Sequence, residues 1–489
     1  MSTVQRVARN TGIIIAGDVI FRIISLIVTI YLARYLGTDG FGKYNFVFAY
    51  LAFFGVITNL GFQTILVREM SRDPSIAPKL IGNAYIIRLI LTVFAVVLSV
   101  VIISFMSYPA DTTAYIYIAT FTVLFISFSD FYATIFQANL RMEYRIIAKL
   151  VFKFLSAGLI LWIIFVLQGT LTQIILALVF SEMVKTLLSY IFSRKFVRPQ
   201  FEIDFGLWKY LFKEALPLAL TSIIWTIYHH IDVVMLSMMQ GDAPVGIYSA
   251  AYNLSGPLSL IPSALMVSLF PIMSASFKTS EERLIKSYKL AIRYLLIIML
   301  PIAVGTTIIA DKIIFLIYRA EFVGSATALQ ILIWALVFTS ASSVLTNLLV
   351  SIGKQKLYTA SMAICAVVNV ALNFILIPTL SYNGAAIATV ATNIVFFLSN
   401  FYFVSKYLQV PPMRKTLLKP AISCLLMGSF VYYFIYVNVF LLVLLATVVY
   451  LMALLILKTF SKEDIDIIKE IANFLKLSAL IQRARGINK

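Results

Sequence analysis

Asp18 and Arg22 stand four residues apart inside an apolar run, and Ser25 and Thr29 continue the same helical face. An acid and a base at that spacing can neutralise each other, or can line a polar cavity. Asp130 heads a similar face with Thr134 and Gln137, and Glu182 and Lys185 lie three residues apart in a later run. His229 and His230 are the only histidines, and Asp232 follows them closely; Trp225 and Ser222 precede His229 by one and two helical turns. That group suits a proton relay, a sugar-binding patch or an interhelical hydrogen bond. It does not suit a metal, because no further His or Cys gathers nearby and both cysteines, Cys365 and Cys424, sit alone in apolar runs. Asn59, Gln63, Tyr248, Tyr252, Ser255 and Ser259 add neutral donors, acceptors and aromatic faces. Asn369 and Asn373 read as bonds between helices.

These residues need an explanation because of where they lie. The chain is 61% hydrophobic and 12% charged, against about 25% charged in a soluble domain. Its apolar residues form runs of about 20, the length that crosses a bilayer as a helix. An ionisable residue inside such a run costs about 2.5–3.5 kcal/mol on insertion scales, so each calls for a partner or a function. We place spans near 10–33, 44–66, 83–107, 113–139, 146–168, 171–193, 214–239, 245–274, 289–311, 326–351, 358–378, 383–405, 417–436 and 438–458. Fourteen helices with connectors too short for a soluble domain predict an all-α polytopic membrane protein.

Charge fixes the expected orientation. Of 39 Lys and Arg, 33 fall on alternate connectors and the termini, four (Arg34, Lys43, Lys312, Arg319) fall on the others, and Arg22 and Lys185 lie inside spans. Positive residues collect on the cytoplasmic side, so both termini are expected there, in the cytoplasmic membrane. In that count Arg88, Lys149 and Lys153 belong to cytoplasmic connectors. The formal net charge of +18 is thus topological and points away from nucleic acid. The opening stretch, with Arg6 and Arg9, shows no small-residue cleavage site and is read as an uncleaved first span.

The chain also repeats. Gly37-x4-Gly42-x-Tyr44 returns as Gly241-x4-Gly246-x-Tyr248, shifted by 204 residues, with Leu32 and Leu236 in the same register. Six spans in each half predict two parallel lobes, 1–200 and 208–406, joined by a basic linker at 194–213. A transmembrane hairpin at 415–458 lies outside the repeat. In the tail, 459–489, Ile465, Ile468, Ile471 and Leu475 recur at helical spacing, as in an amphipathic helix on the inner leaflet. Pro257, Pro262 and Pro271 in the eighth span and Pro301 in the ninth predict bent helices.

Four stretches resemble the Wzx-type oligosaccharide flippases of the multidrug/oligosaccharidyl-lipid/polysaccharide exporter superfamily: LGTDGFGKYNFVFAY (36–50), NLGFQTILVREMSRD (59–73), VGIYSAAYNL (245–254) and LIPTLSYNGAAIATVATN (376–393). The likeness covers roughly residues 5–410, and its motifs are glycine turns rather than chemistry. It implies two six-helix lobes around an often cationic cavity that opens alternately to each face. It also implies a polyprenyl-phosphate- or polyprenyl-diphosphate-linked oligosaccharide as cargo, and an arginine of the first span, here Arg22, facing the lipid phosphate. Lys185 is the second candidate cation; Asp18, Asn59, Gln63, Asp130, His229, Asp232, Tyr248 and Tyr252 are expected to line the cavity. Membrane lipids and glycan-assembly proteins are the expected partners. No cofactor is expected beyond a coupling proton or Na⁺, through Asp130 or Asp232, and no nucleotide motif is present. A cation-coupled drug exporter shares the expected fold. A membrane-embedded polymerase or ligase would need a larger outer loop than the roughly fifteen residues near 311–325.

Overall fold

The computed structural model describes residues 3–408 and 413–459, with side chains from Gly17 onward except at 268, 272, 278 and 413–416. The amphipathic tail expected at 459–489 lies, but for its first residue, outside the described residues. Among those described, every regular element is a helix. They run α1 Thr3–Asn59, α2 Phe62–Arg72, α3 Ala77–Phe105, α4 Ala110–Ala138, α5 Met142–Trp162, α6 Leu171–Ser193 and α7 Phe205–Gln240. The chain continues with α8 Asp242–Ser255, α9 Leu260–Thr279, α10 Glu281–Tyr318, α11 Ser325–Ser351, α12 Gln355–Ser405, α13 Met413–Tyr433 and α14 Val439–Ile456, the second half starting at α7.

Eleven helical segments are long and apolar enough to cross a membrane, and a shorter apolar one lies at Leu417–Tyr433. Two of the eleven hold two spans each. The chain turns inside α1 at Gly37 (φ 67°, ψ −176°) and inside α12 at Ser381 (φ 51°, ψ −132°). Every expected span therefore falls on a helix. The second crosses a left-handed step at Leu60 and Gly61 into α2. The eighth breaks between α8 and α9 at Gly256–Pro257, where proline interrupts the backbone ladder.

The repeated glycine connectors dock on each other. Gly241 has nearly the conformation of Gly37 (φ 86°, ψ −167°). A Cβ on Gly42 would lie 1.8 Å from the Asp242 carbonyl oxygen, and one on Gly246 would lie 1.9 Å from that of Thr38. Each glycine thus meets the backbone of the other connector, an approach only a missing side chain permits. Around this seal Arg34 donates to the Ile317 and Leu316 carbonyls at 2.6 and 2.7 Å, capping the end of α10. The Glu321 carboxylate accepts from the Thr38 N–H at 2.8 Å, and Lys43 pairs with Asp111 at 2.5 Å. Leu32, Phe41, Leu236, Val245, Ile314 and Phe322 form one buried cluster beneath it.

The opposite end is held differently. Residues 194–204 lie along the start of α3: the Gln200 N–H donates to the Pro78 carbonyl at 2.9 Å, and Gly82 leaves room for the Gln200 carbonyl. The Asn83 side-chain oxygen accepts from the Asp204 N–H and from the Trp208 indole, both at 2.9 Å. Lys79 pairs with Asp204 at 2.7 Å and holds its carboxyl below the usual aspartate range. Arg68 of α2 reaches Glu214 of α7 at 2.9 Å. The α13–α14 hairpin packs on α10, with Asn438 capping α14.

Candidate functional site

Three neighbouring cavities share walls; they are lined mainly by the first half of the chain and, from the second, by α7 and the α8–α9 break. One, of about 380 Å³, lies between α1, α5 and the α8–α9 break; Asp18, Arg22, Ser25, Thr29, Lys149 and Asn253 face it. A second, about 190 Å³, shares Phe21 and Lys149 with the first and adds Asp130, Arg145, Glu182 and Lys185. A third, about 640 Å³, shares Asp130 with the second and adds Asn59, Arg88, Ser127, Ser222, Trp225 and His230. Phe21 and Lys149 therefore stand at one boundary and Asp130 at the next. Arg22 precedes Gly37 by fifteen residues, about 22 Å of helix, so the first cavity lies well away from the glycine seal.

Of the two readings of Asp18 and Arg22, the pair does not form, and both side chains face the cavity. Asp18 Oδ1 accepts from Lys149 Nζ at 2.5 Å, while Arg22 Nη1 donates to the Gly256 carbonyl at 3.2 Å and to Ser259 Oγ at 3.0 Å. The α8–α9 break offers Arg22 the Gly256 carbonyl, which also accepts from the Ser259 N–H and hydroxyl, and a lysine from α5 captures the acid. Lys149 and Lys153 both lie over the Phe21 ring, 4.4 and 5.0 Å from its centroid. Lys185 pairs with Glu182 at 2.5 Å, as its i, i+3 spacing allows.

Arg88 is the residue that the charge count misassigned. It is buried at 3% exposure, eleven residues into α3. Its Nε donates to Ser127 Oγ at 2.9 Å, its Nη2 to the Ser127 carbonyl at 2.7 Å and its Nη1 to Asn59 Oδ1 at 3.1 Å. Lys149 and Lys153 likewise stand two and three turns into α5 rather than in a connector. All three fall inside the spans drawn from the sequence, so the boundaries alone could have shown that their charge lies within the helical bundle.

The second half builds a different site. Asp232, 4% exposed, accepts from Tyr248 Oη at 3.0 Å, Thr389 Oγ1 at 2.8 Å and Asn373 Nδ2 at 2.5 Å. Asn373 also donates to Asn369 Oδ1 at 3.1 Å, and its own side-chain oxygen is buried without a partner. The two asparagines thus tie α12 to α7. A cavity of about 200 Å³ adjoins the cluster, faced by Asp232, His229, Tyr252, Asn369 and Thr389. No histidine is bonded to Asp232 among the described residues. His229 faces this cavity and packs against Trp225 with the rings tilted at 44° and centroids 4.3 Å apart, while His230 faces the large cavity. Successive residues on a helix point about 100° apart, so adjacent histidines serve different spaces. Tyr248 lines none of the cavities described; at 1% exposure it is buried beneath Tyr252, on which it stacks. Gln63 also lies off the cavities described, reaching Gln137 at 3.4 Å beside the Gly61 step.

A family model described as polysaccharide biosynthesis protein matches residues 7–277, more than half of the chain. The chain belongs to the polysaccharide biosynthesis protein family. A second model, MatE, matches residues 217–375. The chain is 30% identical over 169 residues to the uncharacterized membrane protein MJ1068 of Methanocaldococcus jannaschii, covering 33% of the chain and 32% of that relative. It is 23% identical over 184 residues to the probable low-salt glycan biosynthesis flippase Agl15 of Haloferax volcanii, covering 37% of the chain and 39% of that relative. The chain thus spans well under two thirds of either relative's length. Among solved structures it is similar in fold to the lipid II flippase MurJ in an inward closed conformation, with TM-score 0.75, 15% identity and coverage of 90% and 97% of the two chains. It is also similar to an inward-facing multidrug resistance MATE transporter of the MOP superfamily, with TM-score 0.64, 17% identity and coverage of 79% and 95%. These two likenesses establish a shared polytopic helical fold.

Proposed function

We propose that this multi-pass membrane protein is a flippase. It carries a polyprenyl-phosphate- or polyprenyl-diphosphate-linked oligosaccharide across the cytoplasmic membrane for polysaccharide or glycoconjugate synthesis. The observation that carries this reading is the cationic cavity at Arg22 and Lys149, neighboured across shared walls at Lys149 and Asp130 by a larger cavity whose polar lining holds hydroxyls, the Asn59 amide and the Trp225 indole. A lipid-linked glycan has that polarity profile: a phosphate at the lipid junction, then sugar. The glycan cannot cross hydrocarbon unaided, because its hydroxyls would lose their hydrogen bonds. Arg22 and Lys149 bind phosphate, while Asn59, Asp130 and Trp225 hydrogen-bond to or stack on sugar; the polyprenyl tail stays in lipid. Lys185, already paired with Glu182, has a supporting part. Residues 1–200 and 208–406 act as two lobes that open alternately, with the 194–213 linker and both termini on the cytoplasmic side. Glycan-assembly proteins are the natural partners, and the chain performs no chemistry on its cargo.

Asp232 and the Asn369–Asn373 pair form the coupling site in this reading. Carboxylate, amide and hydroxyl oxygens around a buried acid suit a proton or a Na⁺ ion. The MatE match over 217–375 favours one second reading, a cation-coupled drug exporter with the same fold. Fluorescent polyprenyl-diphosphate disaccharide flipped in proteoliposomes, and no efflux of cationic dyes, supports the flippase; dye efflux without lipid flipping supports the exporter.

A further inference from the structure

The i, i+4 spacing makes Arg22 available to Asp18, yet Arg22 is anchored on α8–α9 and Asp18 has gone to Lys149. We propose that Asp18 is a tethered counter-anion: in the empty carrier its carboxylate occupies the place on Lys149 that the anionic headgroup takes on loading. This inference rests on the flippase reading and adds to it a step in which a protein anion and a substrate anion exchange.

Three features carry it. The pair is short but reachable, for the Asp18 and Lys149 side chains remain 39% and 34% exposed and both face the same cavity. An ion pair exposed to about a third and facing a cavity is weak enough to be displaced. The competing site is already assembled: Lys149 is held over Phe21 by its charge, which leaves its N–H groups for an anion, and Arg22 uses only Nη1 among the described residues. A phosphate could take the Arg22 Nε and Nη2 together with Lys149, more donors than Asp18 engages. Finally, a carrier must also reset unloaded. Uncompensated cations inside a membrane protein are costly, and Asp18 supplies the missing negative charge for that step alone.

The consequence separates binding from turnover. Removing the carboxylate relieves competition for Lys149, so headgroup affinity rises. It also leaves the empty carrier unneutralised, so reset slows. The test uses the purified full-length protein, with farnesyl diphosphate as the binding probe and proteoliposomes for flipping. Asp18→Asn should bind the probe about fivefold more tightly, the fold-change equivalent to one partly exposed ion pair. It should flip lipid-linked disaccharide with a lower KM and a lower kcat, and Asp18→Glu should restore the parental behaviour. Asp18→Asn combined with Lys149→Gln should bind no more tightly than Lys149→Gln alone. Melting curves for each variant exclude misfolding as the cause. Unchanged or weaker binding by Asp18→Asn, with Lys149→Gln still impaired, overturns the exchange and leaves the phosphate site standing. Parental binding by both Lys149→Gln and Arg22→Ala overturns the phosphate site and the exchange with it.

Discussion

The two halves of the chain share a turn motif and a helix plan, yet their polar interiors differ in sign. The first half places Arg22, Arg88, Lys149 and Lys185 around its cavities and tempers them with Asp18, Asp130 and Glu182. In the second half Asp232 sits among tyrosine, threonine and asparagine, with no cation bonded to it among the described residues. A cavity with surplus positive charge favours an anion; a buried acid ringed by neutral oxygens favours a small cation. They also lie at different depths. Asp232 precedes the end of α7 by eight residues, about 12 Å from the glycine seal, whereas Arg22 is about 22 Å from it. One fold can thus hold a cargo site and a coupling site that both respond to the same rearrangement.

The comparison breaks most sharply at Arg22. Arg22→Ala should lower flipping at least tenfold without loss of the folded protein, since a charge-assisted hydrogen bond to phosphate is worth about 1.5–3 kcal/mol. Arg22→Lys should keep part of the rate, and chromatographic homogeneity shows whether the fold survives. In the second half, Asp232→Asn should leave slow downhill flipping but remove its response to an imposed pH or Na⁺ gradient, measured in the same liposomes. A mutant that still answers both gradients moves the coupling site elsewhere, with Asp130 next.

The seal offers a third contrast, because it rests on backbone contact rather than charge. Gly42→Val and Gly246→Val each drive a side chain into the opposing carbonyl. Either should destabilise the closed end by about 1–3 kcal/mol and raise labelling of a cysteine placed at Thr38. The linker clamp gives the smallest effect. Lys79 lowers the Asp204 carboxyl, so the contribution of the pair is present above the ordinary aspartate range and is lost as pH falls through the lowered value. Melting temperature followed from pH 7 into the acid range should fall less steeply in Asp204→Asn than in the parent, by a degree or less given the exposure of the pair.

How far the sequence reached follows the same physics. Span length and apolar composition dictate a bilayer helix almost residue by residue, so all the expected spans lie on helices. The turn at Gly37 and Gly241 was legible because positive φ and close backbone approach both demand glycine. Side-chain partners were not. The Asp18–Arg22 spacing is local information, whereas Lys149 and Gly256 come from helices whose placement depends on packing over more than a hundred residues. Arg88 was hidden for another reason. Counting positive charge by connector assumes that basic residues near a span's end lie in solvent, and Arg88 is instead satisfied by Asn59 and Ser127. Asp232 was singled out as a buried acid, but its tyrosine partner comes from α8 and its asparagine and threonine partners from the two arms of α12, which no local spacing reveals.

The central claim, that the first-half cavities carry an anionic lipid-linked glycan, is tested most directly by flipping in reconstituted vesicles. Fluorescent polyprenyl-diphosphate disaccharide is placed in the inner leaflet, and its arrival outside is followed with an impermeant quencher. The parent should flip it well above protein-free vesicles, and Arg22→Ala and Lys149→Gln should each bring the rate close to that background. A parental rate no higher than protein-free vesicles, or one that both substitutions leave intact, would contradict the account.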